Sequence, residues 1–142
     1  MYKSGFVSII GRANVGKSTL LNNIIGEKVS IISNKPQTTR NKITCVYTEE
    51  DNQIVFLDTP GIHKPKNRLG EYMLSASKST LNDVDVVTFM VDDSKKIGQL
   101  DEFIISYLKQ IKTTKILLIN KIDKLSMGEI AEIILMYQKL NL

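Results

Sequence analysis

The sequence predicts an α/β fold: a mostly parallel sheet with one antiparallel pair of neighbouring strands and helices on both faces. Three observations predict it. Short β-rich apolar runs alternate with stretches of helical period. Gly-, Pro- and Asn-containing turns separate them, with no internal repeat or low-complexity linker. Two adjacent strand-like runs, 43–48 and 53–58, are joined by too short a turn for a crossover and so must run antiparallel. The resulting order, β-α-β-β-α-β-α-β-α, is that of a sheet covered on both sides. A chain of 142 residues, 42% hydrophobic and 24% charged, suits one domain with one core.

The elements follow in order. "GFVSIIG" (5–11) is a short apolar strand run ending in glycine. "STLLNNIIGE" (18–27) carries Leu20, Leu21, Ile24 and Ile25 on one helical face, with Gly26 as its cap. Residues 30–42 are polar, hold Pro36 and three residues able to bond their own backbone (Gln37, Thr38, Thr39), and read as a long loop. "ITCVYT" (43–48) and "QIVFLD" (53–58) are strands around "EEDN". "TPGIHKPKNRLG" (59–70) is an irregular loop, and 71–81 a helix. "DVVTFMVDD" (85–93) and "KILLIN" (115–120) are buried strands. Between them, apolar positions 100, 103, 104, 107, 108 and 111 follow the helical period; Met127, Ile130, Ile134 and Tyr137 mark a last amphipathic helix.

Composition bounds the setting. The net charge of +4 permits contact with nucleic acid or acidic lipid without establishing it. The single cysteine, Cys45, forms no internal disulfide, and the apolar run in "MYKSGFVSIIG" is too short for a signal peptide, so a cytoplasmic protein is expected.

Three motifs carry the chemistry. Gly11, Gly16, Lys17 and Ser18 form G-x-x-x-x-G-K-S between a predicted strand and a predicted helix. Glycines let such a loop curl so that successive N–H groups point at phosphate oxygens, and the helix N-terminus adds a favourable dipole. The loop predicts phosphate contacts from Gly11, Arg12, Ala13, Asn14, Val15, Gly16, Lys17, Ser18 and Thr19, with Lys17 bridging β- and γ-phosphates and the Ser18 hydroxyl on magnesium. Asp58 ends a strand and opens "DTPG"; its carboxylate suits magnesium held through water, and the bare backbone of Gly61 lets its N–H reach a γ-phosphate. That contact lasts only while the third phosphate is present, so the following loop should order with triphosphate and relax after hydrolysis.

"NKID" (120–123) chooses the base. Guanine presents N1–H and a 2-amino group on one edge, and the two oxygens of Asp123 accept both bonds. Adenine has neither donor there, which would leave the carboxylate unpaired. Asn120 is placed to brace the loop and meet the base edge, and the stem of Lys121 to pack across a ring face. All three motifs fall at strand ends, where open α/β sheets bind ligands.

With these motifs the sequence resembles the Era family of translation-factor-type GTPases, over essentially the whole chain. "KPQTTRN" (35–41) and "DTPGIHKPKNRLGEYM" (58–73) closely resemble that family's two switch regions. The resemblance implies a P-loop G domain acting as a GTP-hydrolysing switch in small-subunit ribosome assembly. It also implies a C-terminal KH domain that binds ribosomal RNA, and in some members peripheral contact with the inner membrane. Thr39 would complete the magnesium shell, with Thr38 as the alternative, so Lys17, Thr39 and Gly61 are the expected catalytic group. Asn14 matches a position associated in related GTPases with a bound potassium ion; a local hydrogen bond is the alternative.

Departures from the family pattern shape further expectations. Ala13 replaces the usual proline. Ile62 stands where many relatives place a water-orienting glutamine, so hydrolysis should be slow; His63, the sole histidine, is a substitute to test. Lys35, Arg40, Lys42, Lys64, Lys66 and Arg68 make both switches basic, which suits a ribosomal surface or a merely solvated one. The family's fifth guanine-binding element, "SA", lies farther along than Leu142, and no KH domain follows. Residues 1–142 therefore read as a G domain lacking its last strand and helix. The edge this exposes makes reduced stability, weaker guanine affinity or self-association the expected consequence. Other readings are a P-loop kinase or ATPase, in which "NKID" would be idle, a binding module without turnover, or a sister GTPase serving another RNA or ribosomal particle.

Overall fold

The computed structural model describes residues 1–12, 14–24, 29–31, 42–58 and 81–142. The elements are β1 (Lys3–Ile10), α1 (Lys17–Ile24), β2 (Val29–Ile31), β3 (Lys42–Glu49), β4 (Asn52–Asp58), β5 (Val86–Val91), α2 (Gln99–Leu108), β6 (Thr114–Ile119) and α3 (Met127–Gln138), with a 3-10 turn at Ile122–Lys124. The strands form one sheet in the order β2-β3-β4-β1-β5-β6. β1 lies parallel between β4 and β5, and β5 parallel to β6. β3 runs antiparallel to β4, as the short connection requires. The turn is tighter than "EEDN": Glu49 already faces Asn52, leaving only Glu50 and Asp51 to reverse the chain.

β2 extends this antiparallel side. Val29, Ser30 and Ile31 pair with Tyr47, Val46 and Cys45 of β3, so the segment read as a loop from residue 30 begins as a strand. Three residues give too weak a local signal; the strand exists because β3 offers it a free edge. The remainder of that loop, the loop 59–70, Gly26 and the predicted helix up to residue 80 lie outside the described residues.

Alternation along the strands builds two cores. Ile10, Leu57, Val87, Phe89 and Val91 face α2 and α3, meeting Ile104, Leu108, Ile133 and Tyr137. Phe89 and Tyr137 form an edge-to-face pair with centroids 6.0 Å apart. Ile9, Phe56 and Met90 point the other way, onto Leu20, Leu21 and Ile24 of α1. The helical stripe of α3 is rotated from the predicted one: Ile133 and Tyr137 are buried, while Met127 is 81% and Ile134 39% exposed. Met127 occupies the first turn, beyond the sheet's reach, and Ile130 and Ile134 line an apolar groove beside the outer strand β6. Among the described residues no helix is long and apolar enough to cross a membrane.

One core position is poorly matched to its surroundings. Ser8 is fully buried in β1, level with Leu57 and Val87, and its hydroxyl has no partner among the described residues. A buried unsatisfied hydroxyl costs about 1–3 kcal/mol. Ser8→Ala is therefore expected to stabilise the fold by about 1 kcal/mol, read as a higher denaturant midpoint at unchanged slope.

Candidate nucleotide-binding site

The parallel strands β1, β4, β5 and β6 all end on one edge of the sheet, at Ile10, Asp58, Val91 and Ile119. The phosphate loop leaves β1 there. A methyl group on Gly11 would lie 2.4 Å from the Met90 carbonyl oxygen, so only glycine lets the loop pass β5 this closely. Asn14 (φ 66°) and Gly16 (φ 107°) take left-handed conformations that curl the chain. Val15, fully buried in the α1 core, pins the loop between them. The Leu20 N–H then donates to the Gly16 carbonyl at 2.9 Å and starts α1, whose first turn holds no acidic residue. The positive end of the helix thus faces the rim unneutralised. Lys17 folds back over the loop, its Nζ donating to the carbonyls of Gly11 (2.6 Å) and Arg12 (2.7 Å).

The base loop docks directly on this loop. The Asn120 N–H donates to the Val91 carbonyl (2.8 Å), holding the end of β6 to the end of β5. Its side-chain Nδ2 donates to the Val15 carbonyl (2.8 Å), and Lys121 Nζ to the Asn14 carbonyl (2.8 Å). Residues more than a hundred positions apart are thereby joined. A methyl group on Gly16 would sit 2.2 Å from Asn120 Nδ2, so a side chain there would force Asn120 to shift. Lys121, at φ 60°, turns the chain into the 3-10 turn that presents Asp123. Asp123 is exposed there rather than buried as the guanine-edge reading supposes.

Arg12 shows a set of partners absent from the motif reading. Its Nη2 pairs with Asp92 and donates to Ser94 Oγ (2.9 Å); its Nε donates to Asp101 of α2 (3.1 Å). Asp92 and Asp101 are both buried. Burial works to raise the Asp92 carboxyl, but hydrogen bonds from the Ser94 side chain and backbone, with the charges of Arg12 and Lys121, outweigh it and hold the group below its ordinary range. The sequence carried a signal for Asp101: it shares the helical face of Ile104, Ile105 and Leu108. For Asp92 and Ser94 it carried none, since they meet Arg12 only through the sheet.

The same β5–α2 connection also holds the base side. Lys95 pairs with Glu129, and Glu129 and Ser126 form a reciprocal capping box at the start of α3. The Lys95 hydrogen bond, then those of Ser126, lower Glu129 from its ordinary 4.5 to about 2. The folded carboxyl binds its proton less readily, so the stabilisation is present above pH 4.5 and disappears as pH falls towards 2. Protection of the first-turn amides of α3, taken relative to their intrinsic exchange rates at each pH, is expected to fall across that window, and Lys95→Met to shrink the change.

The backbone sets Ser18, second in α1, and Asp58, last in β4, at this same edge. A hydroxyl and a carboxylate are the hard oxygen donors that magnesium takes alongside phosphate oxygens, so these residue types fit that ion. Ala13, Thr38, Thr39, Gly61, Ile62, His63 and the basic residues Lys35, Arg40, Lys64, Lys66 and Arg68 lie outside the described residues, as does the side chain of Lys42.

Comparison with known proteins agrees with this geometry. A family model described as 50S ribosome-binding GTPase matches residues 6–121. The GTPase Era of Alkaliphilus metalliredigens is 61% identical over 141 residues, 99% of this chain and 48% of that protein. That of Clostridioides difficile is 61% identical over 140 residues, 98% of this chain and 47% of that protein. The chain thus spans about half the length of the curated relatives it matches. A crystal structure of Era with MgGDPNP and nucleotides 1506–1542 of 16S ribosomal RNA superimposes with a TM-score of 0.74 at 42% identity, covering 98% of this chain and 48% of that one. The Era-family resemblance read from the switch segments is borne out. With its phosphate loop, the end of β4 and Asn120–Lys121 all inside the matched span, the chain belongs to the 50S ribosome-binding GTPase family.

Proposed function

We propose that this chain binds GTP and GDP with magnesium and hydrolyses GTP, as the switch domain of a factor for small ribosomal subunit assembly. The observation that carries this reading is the pair of bonds from Asn120 and Lys121 to the carbonyls of Val15 and Asn14. They fuse a phosphate grip and a guanine grip into one rim. The Era complex with MgGDPNP and 16S ribosomal RNA supports both the nucleotide and the RNA.

In this reading the loop amides of residues 11–19 bind the phosphates and Lys17 neutralises the charge that builds on the β–γ bridge. Asp123 orients guanine. Ser18, Asp58 and Thr39 would hold magnesium, which would supply electrostatic stabilisation of the transferred phosphoryl group. The Gly61 N–H holds a γ-oxygen and couples the following loop to the triphosphate. With Ile62 in place of a water-orienting glutamine, turnover is slow until a partner or a cation assists. The Asn14 amide oxygen would hold potassium as that cation, which would supply positive charge beside the phosphates, and hydrolysis faster in potassium than in sodium would be its mark. Ribosomal RNA contact belongs to a KH domain of the kind the Era family carries, with residues 1–142 as the G domain. A cytoplasmic setting, with peripheral contact at the inner membrane as in some members of the Era family, fits this reading.

A competition titration on this chain decides the matter: GDP should displace a labelled guanine nucleotide at concentrations at least about a hundredfold below ADP. Tighter ADP binding would replace the switch with an adenine-dependent kinase or ATPase. GDP binding without phosphate release from GTP, with ribosomal subunits present, would leave a binding module.

A further inference from the structure

The guanidinium of Arg12 is the meeting point of three groups: Asp92 and Ser94 from the β5–α2 connection and Asp101 from α2. α1, which begins with Lys17, covers one face; α2, which carries Asp101, covers the other. Arg12 reaches over the end of β5 to Asp101 by its Nε and to Asp92 and Ser94 by its Nη2. Ser94 in turn fixes Asp92, donating to Oδ1 from its hydroxyl (2.7 Å) and its N–H (3.1 Å). The second oxygen of Asp101 has no partner, and the residue is 2% exposed, so Arg12 is what its charge depends on among these contacts. Two buried anions on one planar donor leave that donor little freedom.

The other end of Arg12 is its carbonyl, which together with that of Gly11 receives Lys17 Nζ. We infer that Asp92 and Asp101 are positioning residues for the phosphate-binding lysine. By clamping the Arg12 side chain they set the direction of its carbonyl, and so the place from which Lys17 meets the β- and γ-phosphates. A clamp serving stability alone would be as well made of apolar side chains. This one connects α2 and the β5–α2 turn to the residue that senses phosphate charge.

The inference rests on the nucleotide-binding reading above, and its test separates the two. GDP and GMP share base and ribose, but only GDP presents the β-phosphate that Lys17 would hold. Asp101→Asn keeps the shape of the side chain and removes its charge. It is expected to lower the ratio of GDP to GMP affinity and kcat for GTP about tenfold each, leaving GMP affinity unchanged. Arg12→Gln, which removes the clamp from the loop's own side, should lower the GDP to GMP ratio in the same direction, and the double variant no further than the stronger single one, because both act through one clamp. Melting curves identify a variant that has lost its fold, and Asp92→Asn then takes its place. An unchanged GDP to GMP ratio, with or without a lower melting temperature, overturns the inference and leaves the nucleotide site standing. A parent protein that binds no GDP overturns both.

Discussion

Asp123→Asn is expected to convert a guanine site into a xanthine site. The carboxylate offers two acceptors to the N1–H and 2-amino donors of guanine. An amide offers one acceptor and one donor, which matches xanthine, where a carbonyl replaces the 2-amino group. GDP affinity should fall by about a hundredfold or more, because a recognition edge built for hydrogen bonds penalises a partner that leaves them unmade. Xanthosine diphosphate should gain correspondingly. Asp123 is exposed in the 3-10 turn and makes no contact in the core, so stability should shift by less than about 0.5 kcal/mol. Competition titration with both diphosphates reads the exchange directly. An unaltered preference for GDP would place the base elsewhere.

Gly16→Ala is expected to damage both grips at once. At φ 107° a side chain is strained, and its Cβ would lie 2.2 Å from Asn120 Nδ2. Either the phosphate loop uncurls or Asn120 gives up its bond to Val15. Left-handed strain of about 1–2 kcal/mol and a lost hydrogen bond of about 1 kcal/mol together correspond to roughly a 30- to 150-fold loss of GDP affinity. If the clash is the cause, Asn120→Ala should cost less stability in the Gly16→Ala background than in the parent, which a thermal double-mutant cycle measures. Strictly additive losses would show that the two residues do not press on each other.

Much of the fold was legible because its signals are local. Buried β-branched runs announced β1, β5 and β6, and the apolar period announced α2. Local signals failed where pairing or packing decides. Val29–Ile31 is a strand only beside β3, and α3 turns Ile133 rather than Met127 inward because of where the sheet ends. The site divides in the same way. That Lys17, Asn120, Lys121 and Asp123 gather at one rim was readable, since each motif follows a strand whose end the parallel sheet brings to the same edge. The Arg12 clamp was not: its partners lie 80, 82 and 89 positions away and belong to no spacing pattern. Buried carboxylates are recognisable only once the arginine that neutralises them is seen beside them.

The two bonds that tie Asn120 and Lys121 to the carbonyls of Val15 and Asn14 have a thermodynamic corollary. If ordering either half of the pocket preorders the other, guanosine and pyrophosphate added as separate molecules should each tighten the other's binding, by the same factor in both directions. Calorimetry with one fragment in the presence and absence of the other measures that factor. Independent binding would mean that a whole nucleotide draws its affinity from its covalent tether alone.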